Sequence, residues 1–309
     1  MSCCHPERDA QREEDSAVGV PTSGGSHGIE SVAIPAGEFA MGDAFDEGYR
    51  TDGETPVHRV TLSAFEIDTT TVTNEAFGVF VADTGHLTDA QRFGSSAVFA
   101  GHVPTGHVSG EAGVRIVGTP WWIDVPGATW DHPFGPGSDL AGRADHPVVH
   151  VSHRDALAYC AWAGRALPTE SQWEYAARGG LDGARFPWGD EHPTSDDPRC
   201  NIFPGEFPDR PDGPVGTMPV TSFAPNGFGL YQMVGNVWEW CADRFSARAY
   251  RTAPADDPIG SERGRSRVLR GGSHLCHDSY CYRYRVAARS HNTPETSTGN
   301  IGFRTVGSA

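Results

Sequence analysis

The sequence lacks any long hydrophobic run, and none of its stretches approaches the roughly 20 apolar residues that a membrane helix needs. Residues 1–9 are polar and charged and do not form the apolar core of a signal peptide. Basic residues are few, since 24 Lys and Arg stand against 40 Asp and Glu and give a net charge of −16. These features predict a cytoplasmic protein whose main partner is neither nucleic acid nor an anionic membrane.

The sequence also lacks the pattern of a disulfide scaffold. Its seven cysteines, at positions 3, 4, 160, 200, 241, 276 and 281, are odd in number. In a cytoplasmic chain this predicts free or metal-bound thiols. Cys3 and Cys4 lie in a charged, unpatterned tail, which is typical of exposed thiols without a designed role.

Glycine and proline are abundant, with 38 and 23 residues in a chain of 309, and they predict many loops. Eight Trp, 15 Phe and eight Tyr still provide a large apolar core. Residues 1–28 have no hydrophobic periodicity and are expected to form a disordered tail. Residues 29–309 are expected to form one domain, because no linker interrupts them.

The predicted secondary structure is sparse. Residues 34–42 and 57–62 are typical of short strands bounded by Gly and Pro. Capping residues predict three helices, which begin after Thr73, Ser152 and Thr169 and end at Gly85, Gly164 and Gly179. With no βαβ alternation and no internal repeat, the pattern predicts an α+β fold with little regular structure.

A cysteine pair lies in the most informative segment, residues 271–285. Cys276 and Cys281 are five residues apart, so neither a regular helix nor a strand would bring their side chains together. The intervening His-Asp-Ser can form a turn, and the Gly271-Gly272 pair allows close backbone approach. A convergent thiol pair is therefore sterically reasonable.

Tyrosines and arginines alternate after this turn, over residues 280–285. In a strand, Cys281 would share a face with Arg283 and Arg285, and their positive charge would favour the thiolate. The alternative interpretation pairs the arginines with buried carboxylates and assigns the tyrosines to the core.

Three interpretations compete for the cysteine pair: a structural disulfide, a redox dithiol and a soft-metal site. A cytoplasmic location disfavours the first, and the spacing is not the C-x-x-C of thioredoxin-like proteins. Two thiolates with an open third position suit copper(I). From the residues alone, a reactive or metal-binding pair and a labile disulfide both remain open.

Three histidines also have metal-like spacing, at His146, His150 and His153. Pro147 and the valines between them indicate a strand end that runs into the Ser152 helix cap. The histidine side chains should therefore diverge, and the interpretation as ordinary core or surface histidines is preferred.

Several motifs together resemble the formylglycine-generating enzymes, the sulfatase-activating oxidases, and the resemblance covers the chain from about residue 32 to its end. They are Gly-Gly-Ser at 271–273 continuing to residue 294, Gly-Phe-Arg at 302–304, Gly-Asn-Val-Trp-Glu-Trp at 235–240, Leu-Pro-Thr-Glu at 167–170, Trp-Glu-Tyr at 173–175 and Trp121-Trp122.

This resemblance implies a loop-rich variant of the C-type-lectin-like fold and a monomeric copper-dependent oxidase. The implied partner is an unfolded sulfatase, in which a Cys-x-Pro-x-Arg cysteine becomes Cα-formylglycine through O2 and a thiol reductant. Cys276 and Cys281 would hold copper(I), and Ser273 and Trp238 would lie beside the oxygen pocket. Their alternative roles are a turn hydroxyl and a core indole. Trp121 and Trp122 are candidates for the wall of the peptide groove.

The resemblance also implies structural calcium. A first site would combine the side chains of Asn201 and Asp212 with the carbonyls of Ile202 and Pro214. Oxygen donors in a loop are the ligands that calcium requires, although ordinary loop hydrogen bonding would explain the same residues.

A second calcium site would combine the Gly235 and Val237 carbonyls with Glu239. Its remaining position holds Gln232 where the family pattern has Asn, and the longer side chain sets this site apart from the pattern.

Two departures from secreted relatives agree with a cytoplasmic location: Cys160 is expected to face Thr305, and Val286 takes another disulfide position. Two rival functions belong to the same superfamily. An iron-dependent sulfoxide synthase would have an iron-binding histidine motif and an N-terminal helical bundle, and a non-catalytic lectin-like module would lack the cysteine pair.

Overall fold

The structure is a computed structural model that describes residues 6–7, 25–103 and 113–308. The described chain contains four α-helices and twelve short strands joined by long loops. The helices are α1 (Asn74–Thr84), α2 (Asp89–Phe93), α3 (His153–Ala163) and α4 (Glu170–Arg178). The strands are β1 (Ser31–Ile34), β2 (Gly37–Met41), β3 (His58–Leu62), β4 (Phe65–Asp68), β5 (Ser95–Phe99), β6 (Val114–Arg115), β7 (Trp122–Pro126), β8 (Trp238–Arg244), β9 (Arg267–Arg270), β10 (Arg289–Asn292), β11 (Ile301–Gly302) and β12 (Val306–Ser308). Short 3-10 turns lie at Ala100–His102 and Ala249–Arg251.

The three predicted helices are confirmed as α1, α3 and α4. The hydroxyls of Thr73, Ser152 and Thr169 each accept a hydrogen bond from the backbone three residues on, and each helix ends at a left-handed glycine. The prediction missed α2, although Thr88 and Gln91 form a complete capping box there.

The predicted strand over residues 34–42 divides into two, because Pro35 interrupts it. β1 pairs with β4, whereas β2 turns away and pairs with β3. β3 confirms the strand predicted over residues 57–62. β4 also pairs with β12 near the other end of the chain, so that Ile67 lies between Val32 and Val306.

A four-stranded sheet, in the order β10-β9-β8-β11, supports the region of interest. β9 is antiparallel to β8 and β10, and β11 runs parallel to β8. β9 ends at Arg270, directly before the glycines of the cysteine segment. The sheet therefore fixes where that segment begins.

Buried ion pairs join α4 to this sheet. Arg270 donates to Glu170 at 3.0 Å and to Glu174 at 2.5 Å, and Arg289 donates to Glu170 at 2.5 and 2.8 Å. All four side chains are almost fully buried. Removing one partner of such a network leaves a buried charge uncompensated, so the network makes the position of β9 relative to α4 specific.

The expected tail, residues 1–28, lies mainly outside the described residues. Of its described part, Gly25 donates its backbone N–H to the Trp162 carbonyl at 3.1 Å. Within the described ranges, no helix has the length and apolar character needed to cross a membrane.

Candidate active site

Two glycines let the chain turn sharply after β9. Gly271 and Gly272 have φ values of +91° and +72°. A Cβ at Gly271 would lie 2.9 Å from the Met233 carbonyl oxygen, and one at Gly272 would lie 2.9 Å from the Arg283 carbonyl oxygen. Both the backbone angle and the close approach require glycine, as the sequence indicates.

The predicted turn brings the two cysteines together. The Cys281 N–H donates to the His277 carbonyl at 2.7 Å, which closes the turn. The Cys276 and Cys281 sulfurs lie 2.9 Å apart, and the structure holds them as two free thiols. Their side chains are 1% and 0% exposed, so water is excluded from the pair.

Burial dominates the electrostatics of Cys276. It raises the pKa of this thiol well above the ordinary value, and the contact with Cys281 raises it further. The Ser273 N–H, 3.4 Å from the Cys276 sulfur, and the Arg283 charge lower it by less. For Cys276, desolvation therefore outweighs the effect of the Arg283 charge.

The expected strand after the turn is absent: residues 281–285, all described, have no regular structure. Arg283 and Arg285 consequently have different roles. Arg283 places Nη1 3.9 Å from the Cys281 sulfur and Nε 2.5 Å from Asp52. Arg285 pairs with Glu54 at 2.8 and 3.1 Å. Both arginines therefore pair with buried carboxylates, which is the alternative that the sequence left open.

Asn300 connects Ser273 with Trp238. Its side-chain amide donates to the Ser273 hydroxyl at 3.0 Å, and its backbone carbonyl accepts the backbone N–H of Trp238 at 2.9 Å. Ser273 in turn contacts Cys276 through its backbone. The structure therefore places Ser273 beside Cys276 and fixes the backbone of Trp238 through Asn300. Sequence reasoning missed Asn300, whose position just before Gly302-Phe303-Arg304 was its only signal.

Aromatic rings form a surface beside the pair. Tyr280 stacks on Phe207 with ring centroids 4.2 Å apart, and Trp121 meets Tyr280 edge to face at 4.7 Å. Trp121 is partly exposed, which suits a groove wall. Trp122 is fully buried and packs into the core beside Leu275, so it is not available to a peptide.

The three spaced histidines diverge, as predicted. His146 contacts the Thr217 hydroxyl at 2.9 Å, His150 contacts Ser96 and Pro133, and His153 contacts the Cys241 carbonyl at 3.2 Å. Each ring therefore has its own local partner.

The residues of the first expected calcium site lie along one loop. Asn201 is buried and donates its Nδ2 to the Gly216 carbonyl at 2.9 Å, and Asp212 is exposed. A Cβ at Gly205 would lie 2.9 Å from the Asp212 carboxyl carbon, so glycine permits a tight fold there. Ile202 is half-buried and Pro214 is exposed. The donor set of a buried amide, an exposed carboxylate and loop carbonyls fits a hard cation.

Glu239 does not fit the second calcium site. Its two oxygens accept from Arg304 at 2.7 and 2.9 Å, and Oε2 also accepts the Trp173 indole N–H at 2.9 Å. The expectation for Glu239 is corrected on this ground, because its carboxylate already neutralises a buried guanidinium. Gln232, by contrast, has a buried Oε1 without a hydrogen-bond donor among the described residues.

The other three cysteines of the described residues, Cys160, Cys200 and Cys241, are also free thiols. Cys160 is buried beside Asp68, and burial raises its pKa. Thr305, the residue expected to face it, donates its hydroxyl to Asp68 at 2.6 Å. Both residues thus lie near the same carboxylate.

Fold and site together define a loop-rich α+β protein with a buried, converging thiol pair beside an aromatic surface. The family model described as sulfatase-modifying factor enzyme 1-like domain matches residues 20–309. The chain belongs to this family, as the motifs of the sequence indicate.

Relatives of known name are similar over most of their length. The formylglycine-generating enzyme of Streptomyces coelicolor is 59% identical over 88% of this chain and 87% of its own. The formylglycine-generating enzyme of Thermomonospora curvata is 54% identical over 88% of this chain and 91% of its own. Among solved structures, PvdO from Pseudomonas aeruginosa matches with a TM-score of 0.64 and 26% identity, covering 94% of this chain and 99% of its own. The expected fold class is confirmed.

Proposed function

We propose that this protein is a copper-dependent oxidase that converts the cysteine of a Cys-x-Pro-x-Arg segment in an unfolded sulfatase into Cα-formylglycine. Family membership supports the reaction, since relatives 59% and 54% identical bear the name formylglycine-generating enzyme. The single observation that carries the proposal is the thiol pair, whose sulfurs lie 2.9 Å apart in a buried site.

The donor set fits copper(I). Cys276 and Cys281 are soft sulfur ligands, and nowhere in the described residues do three or more His, Cys, Asp or Glu side chains converge. A metal at the pair would therefore have two protein ligands and a position left for the substrate thiol, which suits the low coordination of copper(I). When bound, copper(I) would supply the chemistry that activates O2.

The chain's own residues prepare the pair for this role. Burial holds the pKa of Cys276 high, so this thiol stays protonated until a cation displaces the proton. Arg283 provides a positive charge 3.9 Å from the Cys281 sulfur. Asn300 orients the Ser273 hydroxyl next to the pair, and the exclusion of water protects a reactive site from side reactions.

The overall reaction balances with O2 and a thiol reductant. A substrate R–CH2–SH, one O2 and two thiols give R–CHO, hydrogen sulfide, a disulfide and water. The substrate Cβ loses two electrons, and the two reductant thiols together lose two more. O2 accepts all four electrons.

Calcium has a structural part in the proposal, at the first site only. Asn201 and Asp212 with the Ile202 and Pro214 carbonyls would hold the ion, which would pin a loop that lacks regular secondary structure.

The test is mass spectrometry of a Cys-x-Pro-x-Arg peptide incubated with copper-loaded protein, O2 and a thiol reductant. Cys276→Ser and Cys281→Ser should abolish aldehyde formation, whereas Cys160→Ser, a buried cysteine outside the site, should retain it. Full activity in either site variant would refute the mechanism. No conversion by any chain would instead favour a non-catalytic peptide-binding protein.

A further inference from the structure

A cleft with polar groups on its wall lies next to the thiol segment. Its wall is largely apolar and aromatic, with Phe99, Phe134 and Leu275 among its residues, and the space inside admits a water-sized species. Leu275 directly precedes Cys276, but of the described residues that line the cleft none is Cys276 or Cys281. An ion in this cleft would therefore be separate from a metal at the thiol pair.

Two imidazole rings line this cleft, those of His102 and His274. Their ring centres lie 6.3 Å apart, with an angle of 29° between the ring planes. His274 is buried and His102 is half-buried. The rings come from distant parts of the chain, since His102 lies in the short turn Ala100–His102 and His274 follows β9. Only the fold brings them together.

One nitrogen of each ring is fixed by a backbone carbonyl. His102 Nε2 lies 2.9 Å from the Val215 carbonyl oxygen, and His274 Nδ1 lies 2.8 Å from the Asn236 carbonyl oxygen. A carbonyl only accepts, so in the neutral rings these nitrogens bear the hydrogens, and His102 Nδ1 and His274 Nε2 bear lone pairs. Neither lone pair has a hydrogen-bond donor among the described residues. Metal-binding histidines share this arrangement, in which a carbonyl holds the N–H and leaves the other nitrogen for the metal.

The charge in the cleft favours a neutral ring and a singly charged ion. Burial lowers the pKa of His102, the hydrogen bond to Val215 opposes this shift, and the Arg143 charge adds to it. A neutral imidazole is the form that binds a metal. Arg143 also lines the cleft, with its guanidinium 5.2 Å from the centre of the Phe134 ring. Its positive charge opposes a divalent ion about twice as strongly as a monovalent one.

The other candidate ligands on the wall do not add to the two imidazoles. His150 uses both nitrogens, with Nδ1 2.8 Å from the Ser96 hydroxyl and Nε2 2.9 Å from the Pro133 carbonyl. Asn74 has a buried amide oxygen without a donor in the described part of the chain, but such oxygens suit hard ions. Two nitrogen ligands and one positive charge suit copper(I), which accepts low coordination.

The separation of the rings permits such an ion. Metal–imidazole bonds of about 2.0–2.1 Å would place the two ligand nitrogens at most about 4 Å apart. Ring centres 6.3 Å apart leave room for two bonds of this length, because the nitrogens lie on the ring edges.

We propose that His102 Nδ1 and His274 Nε2 bind one copper(I) ion, at a site distinct from the Cys276–Cys281 pair. The site does not depend on the proposed oxidase, because its ligands are not thiols. The test is an anaerobic titration with copper(I) against a chromogenic copper(I) chelator. It uses the full chain with Cys3→Ser, Cys4→Ser, Cys276→Ser and Cys281→Ser combined, so that neither the N-terminal thiols nor the pair can bind the ion.

This combined variant should bind about one equivalent of copper(I). Adding His102→Gln or His274→Gln should abolish the binding. Adding His146→Gln is the matched control, because His146 is half-buried, contacts Thr217 and does not line the cleft. It should leave the stoichiometry unchanged. X-ray absorption of the copper-loaded combined variant should show nitrogen neighbours and no sulfur, a result that decides the ligand type even where a histidine variant fails to fold.

Three results would each overturn the site: no copper(I) bound by the combined variant, equal stoichiometry in the three histidine variants, or a sulfur neighbour in the absorption spectrum. Peptide conversion by the native chain tests the oxidase alone, so the two proposals fail separately.

Discussion

The Arg283 guanidinium lies between the Cys281 sulfur and the Asp52 carboxylate, 3.9 Å from the first and 2.5 Å from the second. Asp52 holds the guanidinium in place, and the Tyr49 ring lies 4.1 Å from its centre. Arg283 is therefore a positioning residue for the electrostatics of the pair, and its charge opposes the desolvation that keeps Cys276 protonated.

Arg283→Gln should raise the pH at which the pair ionises, because it removes a nearby positive charge and leaves the Asp52 charge. The measurement is the pH dependence of thiolate absorbance in the metal-free protein. Arg285→Gln is the control, since Arg285 pairs with Glu54 instead. An unchanged titration in Arg283→Gln would show that the guanidinium does not act on the pair.

Asn300→Ala should lower kcat about tenfold or more with little change in KM. The variant removes the amide that orients the Ser273 hydroxyl, and leaving a buried polar group unpaired costs about 1–3 kcal/mol. Steady-state kinetics on the peptide would measure the effect. Thermal unfolding must accompany them, because a fall in kcat that tracks stability across variants would indicate a structural role alone.

The sequence predicts the local parts of this molecule well. Helices α1, α3 and α4 follow from caps within three residues of each start, and the cysteine turn follows from five consecutive residues. Such interactions form between residues close together along the chain, so a local sequence pattern can predict them.

Long-range pairings are what the sequence could not predict. Arg283 and Arg285 are chemically equivalent in the sequence, and only the folded positions of Asp52 and Glu54, more than 200 residues away, assign them different roles. The same is true of Glu239, because nothing in the sequence indicates that Arg304 is its partner.

Glu239→Gln and Asp212→Asn should separate the two expected calcium sites. Glu239→Gln removes the charge that neutralises the buried Arg304 guanidinium, so it should destabilise the fold by about 3–5 kcal/mol, whether calcium or a chelator is present. Asp212→Asn should cause little loss in chelator but should abolish the rise in Tm that calcium gives the native chain. Calorimetry with and without calcium measures both. No calcium-dependent Tm in the native chain would remove calcium from the proposal.

Acid should destabilise the protein through its buried histidines. Burial lowers the pKa of His153 to about 3, that of His274 to about 3 and that of His150 to about 4. Between pH 6.5 and about 4, these groups bind protons in the unfolded chain but not in the folded one, so the free energy of unfolding falls as the pH falls.

His153→Gln isolates one such contribution. The free energy of unfolding of the variant should fall by about 1 kcal/mol less than that of the native chain between pH 7 and pH 5.5. The variant no longer has a ring that binds a proton on unfolding. Urea unfolding at both pH values measures the difference between the two proteins. Equal pH dependence in both would mean that the pKa of His153 is the same in the folded and the unfolded chain.

Trp121→Ala should affect peptide binding and Trp122→Ala should affect stability, although the two residues are adjacent. Trp121 is partly exposed beside Tyr280, so its loss should weaken binding of a Ser-x-Pro-x-Arg peptide by about tenfold, within the range of a truncated aromatic contact, with Tm nearly unchanged. Trp122 is fully buried, so its loss should lower stability by about 3–5 kcal/mol. Fluorescence anisotropy and urea unfolding of both variants measure the two effects. If Trp121→Ala bound the peptide as the native chain does, the aromatic surface formed with Tyr280 and Phe207 would not be the wall of the groove.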